Sequence, residues 1–190
     1  GAARDFLLGV RFVDGAGQIV KNGGRVMKNV TGYDLVKLMS GAQGTLGVLS
    51  EVSFKVLPQA ASMATVSVSG LDLPGAVRVM SAALGSPFDV TGAAYDPDSM
   101  TAHISVEGFA ESVDYRCGEL VKILGSHGSA ERQDDTAELW QGIRDVSAFH
   151  GQSGDVWRIS VKPSDAVALA PRLGATALQF DWGGGLVWAL

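Results

Sequence analysis

The chain has a single cysteine, Cys117, among 190 residues, which excludes an internal disulfide and suits a reducing compartment. On its helical pattern Cys117 reads as a small core residue. No apolar run approaches the roughly 20 residues of a membrane-spanning helix, and no signal peptide is legible at the start. Basic residues are the minority, 15 against 20 acidic ones. The net charge of −5, with no basic cluster, argues against a nucleic-acid partner. The three histidines, His103, His127 and His150, are too far apart for metal-ligand spacing. Neither Ser-His-Asp nor Cys-His catalysis can be built from the order of residues. A P-loop and a Rossmann fingerprint are absent too, because the most glycine-rich turn precedes a strand instead of following one.

What is present fits a globular chain with a sizeable core. Apolar residues make up 46% and charged residues 18% of the sequence. The stretch 23–58 organises the rest: a loop, a short helix, a glycine-rich turn and a long strand. Thr31 and Asp34 have the capping-box spacing, and Leu35, Leu38 and Met39 share one helical face. Gly41 then stands where a helix closes in a left-handed conformation. From Val48 the period falls to two, with Val48, Val52, Phe54 and Val56 on one side and Leu49, Glu51 and Lys55 on the other. Between helix and strand, Gly41-Ala42-Gln43-Gly44-Thr45-Leu46-Gly47 holds three glycines in seven residues. Such a turn bends tightly and presents bare backbone to a ligand. Read from spacing alone, a plain helix-to-strand connection whose glycines only satisfy the turn is the preferred account.

Around that stretch, residues 6–13 and 18–21 read as a hairpin through Asp14-Gly15-Ala16-Gly17. A boundary falls at 58–62, dividing the chain into 1–60 and 61–190. Beyond it come a strand at 64–68, a helix from Pro74 to Leu84 with Val77, Met80 and Leu84 inward, and strands at 90–95 and 101–107 joined by Asp96-Pro97-Asp98-Ser99. A helix at 111–124 is closed by Gly125. Further helices are expected at 136–149, capped by Asp135 or Thr136 with Trp140 against the core, and at 165–173. Strands are expected at 157–161, 178–182 and 186–190, the last two joined by Gly183-Gly184-Gly185. The fold class is α+β, an antiparallel sheet with helices on one face in a ferredoxin-like arrangement.

Three blocks in order, Arg4 to Val10, Val26 to Leu35 and Gly44 to Val48, resemble the FAD-linked oxidases of the vanillyl-alcohol-oxidase (PCMH-type) superfamily. The form V-M-K-N-V-x-G-Y-D is most similar to the FAD-binding E subunit of bacterial glycolate oxidase. The resemblance implies that 1–60 is the second half of a PCMH-type FAD-binding domain and 61–190 an incomplete cap or substrate domain. It also implies a fragment, because the glycine-rich half of the FAD domain would lie upstream. An isolated fragment of this kind is expected to expose apolar surface and to bind FAD poorly.

By match, Gly44, Thr45, Gly47 and Val48 would approach the nucleotide end of FAD, with Gly41 and Gln43 as weaker candidates. The chain has Gly41-Ala42-Gln43-Gly44 where the family often carries G-S-E-G. Lys28 and Asn29, bunched with Tyr33 and Asp34, would sit near the flavin or its phosphates, although Asp34 also reads as a helix cap. No catalytic residue is assigned; Arg144, Arg158 and His150 are candidates of no special standing. The implied reaction is oxidation of a small 2-hydroxy acid such as glycolate to a 2-oxo acid. Companion flavoprotein and iron–sulfur subunits would receive the electrons. The implied location is the cytoplasm, or the inner face of the membrane through those partners. The alternatives are a non-catalytic assembly subunit with the same fold, and an interaction domain whose glycine turn is fortuitous.

Overall fold

The computed structural model describes residues 3–27 and 32–190, which fall into two compact units, 1–59 and 60–190. Unit one holds α1 (Ala3–Phe6), β1 (Leu7–Val13), β2 (Ile19–Gly23), α2 (Leu35–Met39) and β3 (Val48–Phe54). Its strands form an antiparallel sheet in the order β2-β1-β3. The Asp14 carboxylate builds the hairpin turn by accepting from the amides of Ala16 and Gln18, each at 2.9 Å. Gly17 supplies the left-handed residue at φ 77°.

The small core of this unit is Leu7, Val10 and Phe12 from β1 against Val36 and Met39 from α2. The inward face of α2 therefore differs from the one the apolar spacing predicts, since Leu38 is exposed and Val36 takes its place. The helix has only five residues, and Val36 and Met39 are the i, i+3 pair its single turn can bury. Asp34 is its N-cap, accepting from Lys37 N–H at 3.1 Å. Thr31, the expected partner in a capping box, lies outside the described residues.

The alternation predicted for β3 is also broken. Arg11 pairs with Glu51 but Phe12 pairs with Leu49, so Ser50 is an extra residue, a β-bulge. Leu49 thus joins Val52 and Phe54 on the side of Phe12 and Val10, while Glu51 meets Arg11 in an ion pair at 3.1 Å. Val48, Leu49, Val52, Phe54, Val56 and Leu57 all remain exposed.

Unit two is a seven-stranded sheet in the order β7-β4-β6-β5-β9-β10-β8 with antiparallel pairings throughout. In chain order its elements are β4 (Ser62–Ser69), α3 (Leu73–Leu84), β5 (Gly92–Asp96), β6 (Thr101–Gly108), α4 (Ala110–Leu124) and β7 (Ser129–Asp134). They are followed by α5 (Ala137–Asp145), β8 (Trp157–Ser160), α6 (Pro163–Leu169), β9 (Leu178–Asp181) and β10 (Leu186–Ala189). The run β4-α3-β5-β6-α4-β7 with spatial order β7-β4-β6-β5 is the ferredoxin-like arrangement. Strands β9, β10 and β8 then widen the sheet beyond β5, joined to it through the pair Tyr95–Phe180.

The core lies between one sheet face and α3, α4 and α6. Ala64, Val66, Val68, Ile104 and Val106 from the strands meet Val79, Met80, Val113, Leu120 and Leu124 from the helices, all fully buried. Cys117 is buried there as well. Leu84, expected inward, is exposed, and Ala76, Val79 and Ala83 complete the inner stripe of α3. Gly125 ends α4 with right-handed backbone, φ −60°, not a left-handed one. A β-carbon there would still stand 2.9 Å from the Val121 carbonyl. Strand β7 has no counterpart in the sequence reading. As an end strand with one neighbour it needs little apolar side chain, and Ser-Ala-Glu-Arg-Gln-Asp shows no apolar alternation. Arg132 on it is held by Asp114 and Asp134 at 2.7 and 2.8 Å.

Candidate functional site

The glycine turn of unit one is built as a helix exit followed by a hairpin-like bend. Ser40 N–H still reaches Val36 O, Ala42 N–H reaches Met39 O at 3.2 Å, and Gly41 turns left-handed at φ 85°. Gln43 and Gly44 follow at φ 51° and 76°, both positive, as a primed turn requires. The Ala42 carbonyl closes that turn by accepting Thr45 N–H at 2.9 Å and the Thr45 hydroxyl at 2.7 Å. Gly47, at φ 153°, brings the chain onto β1, where an added β-carbon would lie 2.5 Å from the Val13 carbonyl.

This geometry separates the expected contact residues by role. Gly47 is required by its own neighbouring strand, with or without a ligand. Both donors of Thr45 are spent inside the turn. Gly41, Gln43 and Gly44 are exposed, and β-carbons added at the two glycines would meet nothing within 4 Å. Val48 is exposed at the first position of β3. The turn follows the C-terminal, partially negative end of α2, so it suits a neutral group approached by backbone more than a phosphate.

Tyr33 and Asp34 stand at the other end of α2, roughly 8 Å away along a five-residue helix. They line a small cavity of about 110 Å³ with Asn22, Val26 and Lys37. Asn22 braces this end by donating to Tyr33 O and accepting from Leu35 N–H. Lys37 Nζ donates to the carbonyls of Arg4 and Leu7 at 2.5 and 2.9 Å, closing the end of α1. Lys28 and Asn29 lie outside the described residues.

In unit two the scattered polar residues are sorted by the sheet. Ser67 and His103 are cross-strand partners on the face turned away from the core, where α5 also docks. Trp140 of α5 donates its indole N–H to Thr65 Oγ1 at 2.9 Å, and Thr65 meets the Thr136 hydroxyl at 2.7 Å. Thr136 therefore precedes α5 without capping it, and Trp140 packs over Gly92 on this second face instead of in the main core. His103 Nδ1 lies 2.9 Å from Ser67 Oγ, which donates to Gln133 Oε1 at 3.1 Å. Burial lowers the His103 pKa, only partly opposed by Asp96, so the ring is neutral. Beside it opens a cavity of about 320 Å³ between the sheet and α5.

The other candidates are not gathered there. Arg144 pairs with Asp145, and His150 Nε2 meets the Asp145 carbonyl at 3.0 Å. Arg158 stacks on Trp182 and Trp188, 5.0 and 5.8 Å from the ring centres. Among the described residues no group of three or more His, Cys, Asp or Glu could hold a metal, and no helix is long and apolar enough to cross a membrane. The Ser67–His103 pairing had one legible signal, both residues falling on the polar side of an apolar–polar alternation in their strands. Its partner Gln133 had none, because β7 itself was not legible.

No family model matches the chain. It is 36% identical to glycolate oxidase subunit GlcE of Escherichia coli (strain K12) over 190 residues, 99% of the chain and 49% of that protein. An uncharacterised FAD-linked oxidoreductase of Mycobacterium tuberculosis is 28% identical over 184 residues, 92% of the chain and 40% of that protein. The solved structure of p-cresol methylhydroxylase with substrate bound superposes with TM-score 0.63 and 13% identity, over 97% of the chain and 51% of that one. The chain thus spans about half the length of the curated relatives it matches. Its α+β class agrees with these neighbours, and the chain is similar in sequence to FAD-linked oxidoreductases that include a glycolate oxidase subunit and similar in fold to p-cresol methylhydroxylase.

Proposed function

We propose that the protein to which this chain belongs is an FAD-dependent oxidoreductase that oxidises a small 2-hydroxy acid of the glycolate type to a 2-oxo acid. Residues 1–60 supply part of its FAD-binding domain and residues 61–190 part of its cap. The observation that carries this reading is the 36% identity to a glycolate oxidase subunit across essentially the whole chain. Bound FAD would supply the hydride acceptor. The residues of this chain would bind and orient it, chiefly through the open backbone of Gly41, Gln43 and Gly44, with Thr45 and Gly47 fixing the turn and Val48 beginning the strand beside it. Lys28 and Asn29 stay in the proposed contact set on the strength of the resemblance.

Companion flavoprotein and iron–sulfur subunits belong to the same reading, as does a cytoplasmic site that such partners extend to the membrane face. Support comes from one named relative being a subunit, that of glycolate oxidase. The test is flavin content and anaerobic bleaching of the full-length protein by glycolate and by D-lactate. Flavin bleached by either acid supports the proposal. A flavin-free protein, folded and in complex with its partners, overturns it. Bound flavin that no 2-hydroxy acid bleaches would leave an assembly subunit as the better account.

A further inference from the structure

The cavity between the sheet and α5 has a chemical character that follows from counting its donors and acceptors. Gln133 Nε2 points at the Glu131 carboxylate, 3.5 Å away, which sets the orientation of the amide. Its Oε1 therefore takes the Ser67 hydroxyl proton. Ser67 Oγ, having given its proton away, accepts from His103, so the neutral imidazole carries its hydrogen on Nδ1. Nε2 is left as a bare acceptor, with no hydrogen-bond partner among the described residues, on a residue that lines the cavity.

The other wall groups repeat the pattern. Gln179 donates to Ile143 O at 2.7 Å and Gln152 to Ala148 O at 2.6 Å. Asp98 and Glu138 add carboxylates to the lining, as does Asp96, whose carboxylate accepts from Asp98 N–H and the Ser99 hydroxyl, and Ser147 adds a hydroxyl. No lysine or arginine lines the cavity. Leu139, Ile143 and Phe149 provide an apolar wall.

We propose that this cavity is a binding site for a small organic cation, a primary or secondary amine with an apolar body, whose N–H groups are received by His103 Nε2 and by the carboxylates of Glu138 and Asp98. A space lined by Asp96, Asp98 and Glu138, with no lysine or arginine beside them, repels a 2-hydroxy-acid anion. It is thus distinct from the substrate chemistry proposed above and independent of whether flavin binds. A volume of about 320 Å³ admits a single-ring amine.

The test uses the 190-residue chain labelled with 15N-histidine, with benzylamine as probe and benzoate as the isosteric counter-probe. In the free protein, long-range 1H–15N spectra at pH 7.5 should show His103 as the Nδ1–H tautomer. Benzylamine should shift Nε2 saturably, and benzoate should not. Glu138→Gln should weaken benzylamine roughly threefold, the scale of one exposed ion pair. Gly142→Leu is the occlusion control. Gly142 lines the cavity and an added β-carbon there meets nothing within 4 Å, so the variant should fold and lose binding at least tenfold. An Nε2–H tautomer, equal shifts from benzoate, an unshifted Nε2 with benzylamine, or undiminished binding in Gly142→Leu would each overturn the proposal.

Discussion

Gly47 and Gly44 stand three residues apart in one turn, yet they should respond to the same substitution in different ways. A methyl at Gly47 would sit 2.5 Å from the Val13 carbonyl and 3.1 Å from the Phe12 ring. The first distance is roughly 1 Å inside an ordinary contact, and the atom it meets is backbone. Relief requires β3 to move off β1 at the Val13–Val48 pair. Overpacking of this kind costs about 1–3 kcal/mol. A φ of 153° that side chains rarely adopt adds roughly 1 kcal/mol or more. Gly47→Ala should therefore destabilise unit one by about 3 kcal/mol, a large share of a typical domain's stability. Gly44→Ala meets nothing within 4 Å and pays only for φ 76°, about 1 kcal/mol. Urea unfolding of both variants, followed by circular dichroism, measures these differences, and flavin content is measured in the full-length protein. Gly44→Ala should lose flavin out of proportion to its small loss of stability, because its new methyl projects from the open side of the turn. If Gly47→Ala is as stable as the parent, the steric reasoning is wrong. If Gly44→Ala keeps its full flavin content, the turn is a connection and not a contact.

Two other outcomes follow from the sheet's second face. Thr65→Val keeps shape but strands both the Thr136 hydroxyl and the Trp140 indole N–H, so unfolding free energy should fall by about 2 kcal/mol, with a shift in tryptophan emission; a loss below 0.5 kcal/mol would mean water replaces the hydroxyl without cost. The His103 pKa is lowered in the folded chain, so the unfolded chain binds the proton more readily and His103 contributes a loss of stability as pH falls below its ordinary value of 6.5; His103→Gln should flatten that part of the pH–stability curve, and an unchanged slope would show that the ring is solvated.

Local chemistry was enough for much of this protein. Strand β1, the Asp14 turn, the left-handed Gly41, α3, α4, the Asp96–Ser99 connection and the buried Cys117 each depend on neighbours within a few positions, and each is legible in the sequence. The three spaced blocks of the first third likewise carried the resemblance, since they are strings of residues and not a geometry. Tertiary structure decided what depends on distant partners. Whether α2 turns Leu38 or Val36 inward is fixed by where β1 offers Leu7, Val10 and Phe12. The bulge at Ser50 exists only as a mismatch of register between β1 and β3, so no reading of β3 by itself reveals it. Strand β7 is polar because it needs one neighbour, and its place is set by β4. Ser67, His103 and Gln133 are separated by 36 and 66 residues along the chain, and only the order β7-β4-β6 brings them into one hydrogen-bonded line. Sequence spacing carries periodicity and local capping, but the pairing of strands is a long-range choice made by burying the apolar face against α3 and α4. The polar face inherits its neighbours from that choice.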